Sequence, residues 1–169
     1  MDRMSLQTSR CRIYQLTKKQ FQQFIESPAI LWNKLGVVGD PAHEEWFQDV
    51  MRQSLHALDE LRCTAWWLTN WPIVENSRNI VIGGIGFKGP PNHDGEVEIG
   101  YGLAEAFRNK GYMTECIQAV ARWALQQDGV KAVIAETEKD NLASEEVLRK
   151  NKFECVRETE KFRYWRRTI

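Results

Sequence analysis

The sequence predicts one domain of mixed α/β class, with a twisted, mostly antiparallel central sheet flanked by helices. Its 169 residues suit one domain with a substantial core. Segments of strand and helix periodicity follow one another in the order β-α-α-β-β-β-α-β-α-β-β. Neighbouring strands joined by short turns precede a β-α-β-α unit, which favours a mixed sheet over a doubly wound one. No repeat, linker or low-complexity tract divides the chain, so we expect a single domain over 1–169.

The first half is predicted to begin with a strand and two helices. Apolar residues alternate over 10–16, which is typical of a strand. Helical spacing then runs from Thr17 to about residue 28. A second helix is predicted from Pro41 to Leu61, because proline suits an early helical position and an amphipathic stripe follows it.

Three strands are predicted next, over 64–69, 79–88 and 96–103, joined by turns at 70–78 and 89–95. The run Gly83-Gly84-Ile85-Gly86 lies inside an apolar stretch and is followed by a turn, so we interpret it as a strand thinned by glycine. No G-x-x-x-x-G-K-S/T or helix-opening G-x-G-x-x-G motif occurs, which excludes the two best-known phosphate loops.

The remaining elements alternate between helix and strand before a final pair of strands. A helix that ends near Gly129 precedes a strand, a shorter helix and two last strands. Their predicted ranges are 111–127, 131–137, 140–151, 153–159 and 161–167.

Composition excludes several classes of function. The 23 basic and 23 acidic residues balance, so no excess positive charge favours nucleic acid. The four cysteines lack a C-x-x-C pair and the three histidines are scattered, so we expect neither a metal site nor a disulfide framework. No apolar leader and no run of about 18 apolar residues occur, which predicts a cytoplasmic protein without membrane association.

The most informative segment is the basic turn Phe107-Arg-Asn-Lys-Gly-Tyr-Met-Thr114, which lies between a predicted strand and a predicted helix. The first N–H groups of a helix lack intrahelical partners, and the peptide dipoles place positive charge there. Gly111 lets a ligand approach the backbone closely, while Arg108 and Lys110 add full charges. The segment therefore predicts a phosphate site, best suited to a diphosphate. The alternative is an ordinary turn.

Two motifs resemble the signatures of the GCN5-related N-acetyltransferase (GNAT) superfamily. The first, Q/R-x-x-G-x-G/A, is matched by Arg108-Asn109-Lys110-Gly111-Tyr112-Met113, with methionine in place of the last small residue. The second resembles Asn-x-x-Ser-x-x-Val-Leu-x-Lys-x-Gly-Phe and spans 141–153. The resemblance covers nearly the whole chain and is greatest to the branch that contains ribosomal-protein alanine N-acetyltransferases.

The second motif departs from the family at its end, where Lys152 stands in place of the usual glycine. That glycine normally ends the helix in a left-handed conformation. A lysine there should cost about 1 kcal/mol of stability, unless the neighbouring Asn151 adopts that conformation instead.

The resemblance implies acetyl-CoA as cosubstrate, no metal, and a fold with the GNAT sheet. It assigns the diphosphate to Arg108 and to the backbone of Asn109, Lys110, Gly111, Tyr112, Met113 and Thr114. The pantetheine would pair with exposed backbone at Tyr101, Gly102 and Leu103, like an added strand. Asn141 resembles the family's cofactor-contacting asparagine. Ser144 is positioned either to donate to the thioester sulfur or to satisfy local backbone.

The implied reaction is attack of a neutral primary amine on the thioester carbonyl. The resemblance places two carboxylates near it, Glu98 and Glu136, each of which would relay the amine's proton directly or through water. The alternative for each is a solvated or salt-bridged strand carboxylate. The general-acid tyrosine of some relatives is absent, because Arg149 occupies that position, and neither Tyr101 nor Tyr112 can simply be substituted for it.

The predicted function is therefore an acetyl-CoA-dependent N-acetyltransferase acting on a protein N-terminus or a small-molecule amine, and a homodimer is left open. One alternative is a non-catalytic acetyl-CoA-binding or sensing module of the same fold. Another is an interaction protein that uses surface tryptophans, namely Trp66, Trp67 and Trp71. The basic and aromatic residues over 161–167 would suit nucleic acid, but we favour an alternating edge strand there.

Overall fold

The computed structural model describes residues 5–39, 54 and 65–169. Within this part of the chain, eight strands form one sheet in the order β1-β2-β3-β4-β5-β6-β8-β7. Every neighbouring pair is antiparallel except β5 and β6, which are parallel. The mixed α/β fold with a mostly antiparallel sheet is confirmed. The helix predicted over 41–61 lies outside the described residues.

The elements are numbered here in chain order among the described residues. The strands are β1 Ser5–Gln7, β2 Cys11–Tyr14, β3 Asn70–Glu75, β4 Ile80–Phe87, β5 Glu96–Leu103, β6 Ala132–Glu138, β7 Glu154–Glu158 and β8 Phe162–Arg167. The helices are α1 Lys18–Glu26, α2 Pro28–Leu35, α3 Tyr112–Leu125 and α4 Leu142–Lys150, with short 3-10 helices at Ala65–Trp67 and Glu105–Phe107.

The strand predicted over 64–69 is wrong. The described residues there begin with the 3-10 helix Ala65–Trp67, and the strand is β3, which the prediction took for a turn. Residues 71–75 are all buried, so they show no alternation between apolar and polar positions. Pro72 also argued against a strand, because a proline cannot donate to the ladder.

The N-terminal region contains two elements that the sequence did not predict. The three-residue strand β1 is too short to show a period. The helix α2 follows α1 directly, because Ser27 ends one helix and begins the next, with Pro28 at the first helical position. The sequence predicts the end of a helix near residue 28, although a proline suits the first turn of a new helix equally well.

The tryptophans at 66, 67 and 71 pack into the core. The alternative of an interaction protein places them at the surface. Trp67 and Trp71 are buried, and their ring centroids lie 5.5 Å and 5.0 Å from that of Trp123 on α3. Trp66 is half-buried and packs edge-on against the same ring at 6.2 Å. These rings fasten α3 to the sheet. The model of an interaction protein with surface tryptophans is therefore wrong for this cluster.

The sheet opens between its two parallel strands. The strand β5 pairs with β6 only as far as Glu98 opposite Ile134, whereas it pairs with β4 from Ile99 to Leu103. Beyond Glu98, one edge of β5 therefore has no ladder partner on the β6 side. The two strands therefore diverge beyond this pair, and the main chain of residues 100–103 faces the space between them.

None of the helices in the described part of the chain has the length and apolar composition that a bilayer span requires.

The backbone at the end of α4 shows which residue adopts the left-handed conformation there. Lys152 itself has φ +62°, while Asn151 has φ −91°. The N–H of Lys152 donates to the Arg149 carbonyl at 2.9 Å and that of Phe153 to the Leu148 carbonyl at 3.1 Å, which is the Schellman pattern. The alternative that Asn151 adopts the left-handed conformation is therefore wrong, and Lys152 itself carries the strain, as first expected.

We predict that Lys152→Gly stabilises the protein by about 1 kcal/mol, because glycine adopts this backbone conformation without a Cβ clash. Urea unfolding should show a higher midpoint with an unchanged slope. Lys150→Gly is the matched control inside α4, and it should lower stability by about 1 kcal/mol. A midpoint for Lys152→Gly at or below wild type would contradict the argument.

Candidate active site

The opening in the sheet leads into a groove of about 990 Å³, bounded by the end of β5, the basic turn and α4. A smaller recess of about 280 Å³ lies beside it, between β5 and β6. Tyr101, Asn141 and Ser144 line both spaces, which therefore meet at these three side chains. Most of the sequence-predicted site residues lie around the groove: Tyr101, Gly102, Leu103, Arg108, Asn109, Gly111, Tyr112, Met113, Thr114, Asn141 and Ser144.

The basic turn presents backbone N–H groups to the groove. Tyr112, Met113 and Thr114 form the first turn of α3, so their N–H groups have no acceptor inside the helix. Gly111 precedes them as N-cap at φ +82°, and it has no side chain that could cap them. Asn109 is also left-handed, at φ +58°. Left-handed residues beside a helix N-terminus are characteristic of anion-binding concavities.

An arginine that the sequence analysis did not select, directly before β2, stabilises this turn. Arg10 donates from Nη1 to the Lys110 carbonyl at 3.0 Å and from Nε to Glu115 Oε1 at 2.6 Å. Its guanidinium lies 4.3 Å from the centroid of the Tyr112 ring. Burial raises the pKa of Glu115, but hydrogen bonds from Thr8, Arg10 and Ser9 outweigh it and lower that pKa. The turn is therefore held by an ionised pair.

The basic side chains of the turn are placed differently from one another. Arg108 lines the groove, and its Nε donates to the Leu103 carbonyl at 3.0 Å, which ties the turn to the end of β5. Lys110 does not line the groove, and its ammonium donates to the Ala106 carbonyl at 2.7 Å. In this position the Lys110 ammonium does not add its charge to the groove. Lys150, which the sequence analysis missed, lines the groove and pairs with Glu146 at 3.1 Å.

The free edge of β5 has room beside it. An added Cβ at Gly100 would meet no protein atom within 4 Å, and Gly100 lines the recess. Tyr101, Gly102 and Leu103 pair with β4 on their other side. This is the arrangement that an extended chain needs in order to add to a sheet edge.

Three polar side chains converge where the groove and the recess meet. Asn141 is the N-cap of α4, and its Oδ1 accepts from the N–H of Ser144 at 3.1 Å, which leaves its amide N–H groups available. The Tyr101 hydroxyl is buried beside Ser144 and has no hydrogen-bond partner of ordinary geometry among the described residues. Burial raises the pKa of Tyr101 to about 12, and the neighbouring Ser144 hydroxyl offsets only a smaller part of that rise.

The two predicted carboxylates are not equivalent. Glu136 lines the recess, is exposed, and has no ion-pair partner within the described ranges. Glu98 forms an ion pair with Lys88 and lines neither space. Its geometry matches the salt-bridged alternative. Glu138 also lines the recess, and the sequence analysis did not select it.

Arg149 stands where some relatives carry a tyrosine, and its side chain packs against other residues of the fold. Its guanidinium lies 5.3 Å from the centroid of the Trp165 ring and pairs with Glu145 at 3.4 Å. It lines neither the groove nor the recess. The described residues hold no group of three His, Cys, Asp or Glu side chains suited to a metal ion.

Comparison with known proteins agrees with this architecture. Residues 12–154 match the model of the acetyltransferase (GNAT) domain. The chain is 34% identical over 96 residues to YjdG, an uncharacterised N-acetyltransferase of Bacillus subtilis (strain 168), and the match spans 57% of each protein. The chain thus covers little more than half of that relative.

Solved structures show the same fold at low sequence identity. A RimL ribosomal L7/L12 α-N-protein acetyltransferase in complex with coenzyme A superimposes with a TM-score of 0.66 at 17% identity, covering 98% of each chain. The ribosomal-protein-S5-alanine acetyltransferase of Vibrio fischeri gives a TM-score of 0.67 at 14% identity, covering 98% of this chain and 96% of that one.

Proposed function

The chain belongs to the acetyltransferase (GNAT) family, and we propose that it transfers an acetyl group from acetyl-CoA to a primary amine by direct attack on the thioester. The observation that carries the proposal is that the free edge of β5 and the uncapped N-terminus of α3 line the same groove. A sheet edge suited to pantetheine and a helix terminus suited to a diphosphate thus border one space.

The residues around the groove suit each part of acetyl-CoA. The N–H groups of Tyr112, Met113 and Thr114 would hold the diphosphate, with Arg108 and Lys150 adding positive charge. The main chain of Tyr101, Gly102 and Leu103 would pair with the pantetheine. The acetyl group would then lie near Asn141 and Ser144, where the groove meets the recess.

The recess would admit the amine, with Glu136 as the group that takes its proton directly or through water. We propose an α-amine as the preferred acceptor, as in the RimL α-N-protein acetyltransferase with the same fold. At pH 7 roughly a tenth of an α-amine with pKa near 8 is neutral, against a few per ten thousand for a lysine-like amine. A single exposed carboxylate therefore suffices more readily for an α-amine. A small-molecule amine is the second candidate.

Acetyl-CoA should bind with low-micromolar or better affinity and protect the protein from thermal unfolding. At about 100 times the dissociation constant it should add roughly 2.7 kcal/mol, or about 5–10 °C in a domain of this size. AMP, which lacks the diphosphate and the pantetheine, is the control and should shift the transition far less. A melting curve that millimolar acetyl-CoA leaves unmoved would contradict the proposed site.

The acceptor is tested by release of the coenzyme A thiol in the presence of N-terminal peptides and small amines, with mass spectrometry of the acetylated product. Turnover of peptides with a free α-amine, and none after their N-terminus is blocked, is the expected result. Tight acetyl-CoA binding without turnover of any amine would favour the non-catalytic sensing module. We further propose that residues 1–169 act as one cytoplasmic domain without a metal or nucleic acid, either alone or as a homodimer.

A further inference from the structure

We propose that the Tyr101 phenol donates a hydrogen bond to the thioester sulfur and stabilises it as it leaves, with Ser144 beside it as a second hydroxyl. The inference rests on the proposed function, because it assigns a role within the same site. It concerns the side chain of a residue whose main chain alone was assigned from the sequence. It also supplies a donor in a protein where Arg149 replaces the tyrosine of some relatives.

The position of the hydroxyl is the first argument. Tyr101 lines both the groove and the recess, so its side chain lies where the pantetheine end of the ligand would meet the amine. The hydroxyl is out of contact with solvent and has no hydrogen-bond partner of ordinary geometry in the part of the chain that the structure describes. An unpartnered buried donor is costly, and a ligand that accepts its proton removes that cost.

The arrangement around β5 is the second argument. Val97 and Ile99 are buried, and Tyr101 follows them on the same face, packed against the core cluster that includes α3 and Leu148 of α4. On β6, Ala135 and Thr137 are buried while Glu136 is exposed. The carboxylate and the phenol thus approach the opening from opposite faces of the sheet. This geometry lets the amine enter on one side while the sulfur leaves on the other.

The chemistry balances without transfer of the phenolic proton. The amine nitrogen forms a bond to the carbonyl carbon, the C–S bond breaks, and its electron pair stays on sulfur. The amine's proton passes to Glu136 or water. Since burial raises the pKa of Tyr101 to about 12, while a thiol has a pKa of about 8.5, the phenol stays protonated and acts only as a donor. Its hydrogen bond strengthens as negative charge develops on sulfur, so it favours the transition state.

Tyr101→Phe keeps the ring and removes only the hydroxyl. We expect kcat for acetyl transfer to fall about 10–100-fold, while the Kd for acetyl-CoA changes by less than about threefold. A second measurement needs no acceptor: the thiol of bound coenzyme A is titrated by its ultraviolet thiolate absorbance, against bound desulfo-coenzyme A as reference. Loss of the donor should raise the pKa of that thiol by about one unit.

Tyr14→Phe is the matched control, since Tyr14 is buried in the cluster formed with α1 and α2 and lines neither space. It should leave both readouts at wild-type values. Ser144→Ala should raise the thiol pKa in the same direction as Tyr101→Phe, by a smaller amount. An unchanged thiol pKa in folded Tyr101→Phe that still binds coenzyme A would overturn the inference.

A failure of the proposed role of Tyr101 can be distinguished from a failure of the proposed acetyltransferase function. If wild-type protein binds coenzyme A and Tyr101→Phe raises the thiol pKa, the inference about the sulfur holds even where no amine is turned over. If wild-type protein acetylates an amine and Tyr101→Phe does so at the same rate, the function stands and the role of the phenol is refuted.

Discussion

Glu136→Gln is expected to slow acetyl transfer by about 10²–10⁴-fold at pH 7 and to leave acetyl-CoA affinity unchanged. The carboxylate lines the recess, where the amine would enter, and it forms no ion pair within the described residues. It is therefore free to accept a proton directly or through water. Glu136 does not line the groove that contains the turn, so the proposed diphosphate contacts should persist.

The pH–rate profile on one identified acceptor is the measurement that separates proton relay from other effects. The defect of Glu136→Gln should shrink as pH rises, because a growing fraction of the amine is already neutral. It should lie at the small end of the range for an α-amine and at the large end for a lysine-like amine. A defect of the same size at every pH would argue against a role in proton transfer.

Glu98→Gln is the matched variant on the neighbouring strand. Glu98 is paired with Lys88 and lines neither the groove nor the recess, so we expect a smaller loss of rate than for Glu136→Gln. If both variants keep wild-type rates at pH 6.5, neither carboxylate relays the proton. The site would then act by positioning the amine against the thioester alone.

The elements that the sequence predicts well are those whose pattern is local. The strand β5 has the predicted bounds, because apolar and polar residues alternate over 96–103 and a basic glycine turn follows. The helix α3 begins directly after that turn, as expected. The sequence does not predict β3, because the strand is buried on both faces and therefore shows no alternation of apolar and polar residues. Pro72 also argues against a strand.

The residues of the candidate site also differ in how well the sequence predicts them. Its main-chain groups lie within the motif and follow from the position of Gly111 before a helix. Arg10 and Glu115 are 105 residues apart, so no sequence pattern indicates that one braces the other. The sequence assigns no role to the Tyr101 hydroxyl, because the neighbours of a side chain depend on how α4 packs against the sheet. The sequence also overestimates the contribution of the Lys110 charge to phosphate binding, because only the fold shows that its ammonium donates to the Ala106 carbonyl.

Gly111→Val is expected to lower the affinity for acetyl-CoA at least tenfold while the protein still folds. An added Cβ would meet only the end of the flexible Arg10 side chain, at 3.2 Å, which must shift by a few tenths of an ångström to admit it. The same Cβ would stand beside the first N–H groups of α3, where the diphosphate must approach closely. Isothermal titration with acetyl-CoA measures the loss.

Backbone strain would also accompany this substitution, because Gly111 has φ +82°, and a left-handed residue with a side chain costs about 1–2 kcal/mol. Gly129→Val separates strain from the loss of close approach. Gly129 has φ +80°, an added Cβ there meets nothing within 4 Å, and it lines neither the groove nor the recess. Both variants should therefore lose similar stability in urea unfolding, but only Gly111→Val should lose affinity. Equal affinities in the two folded variants would show that the diphosphate does not lie against the N-terminus of α3.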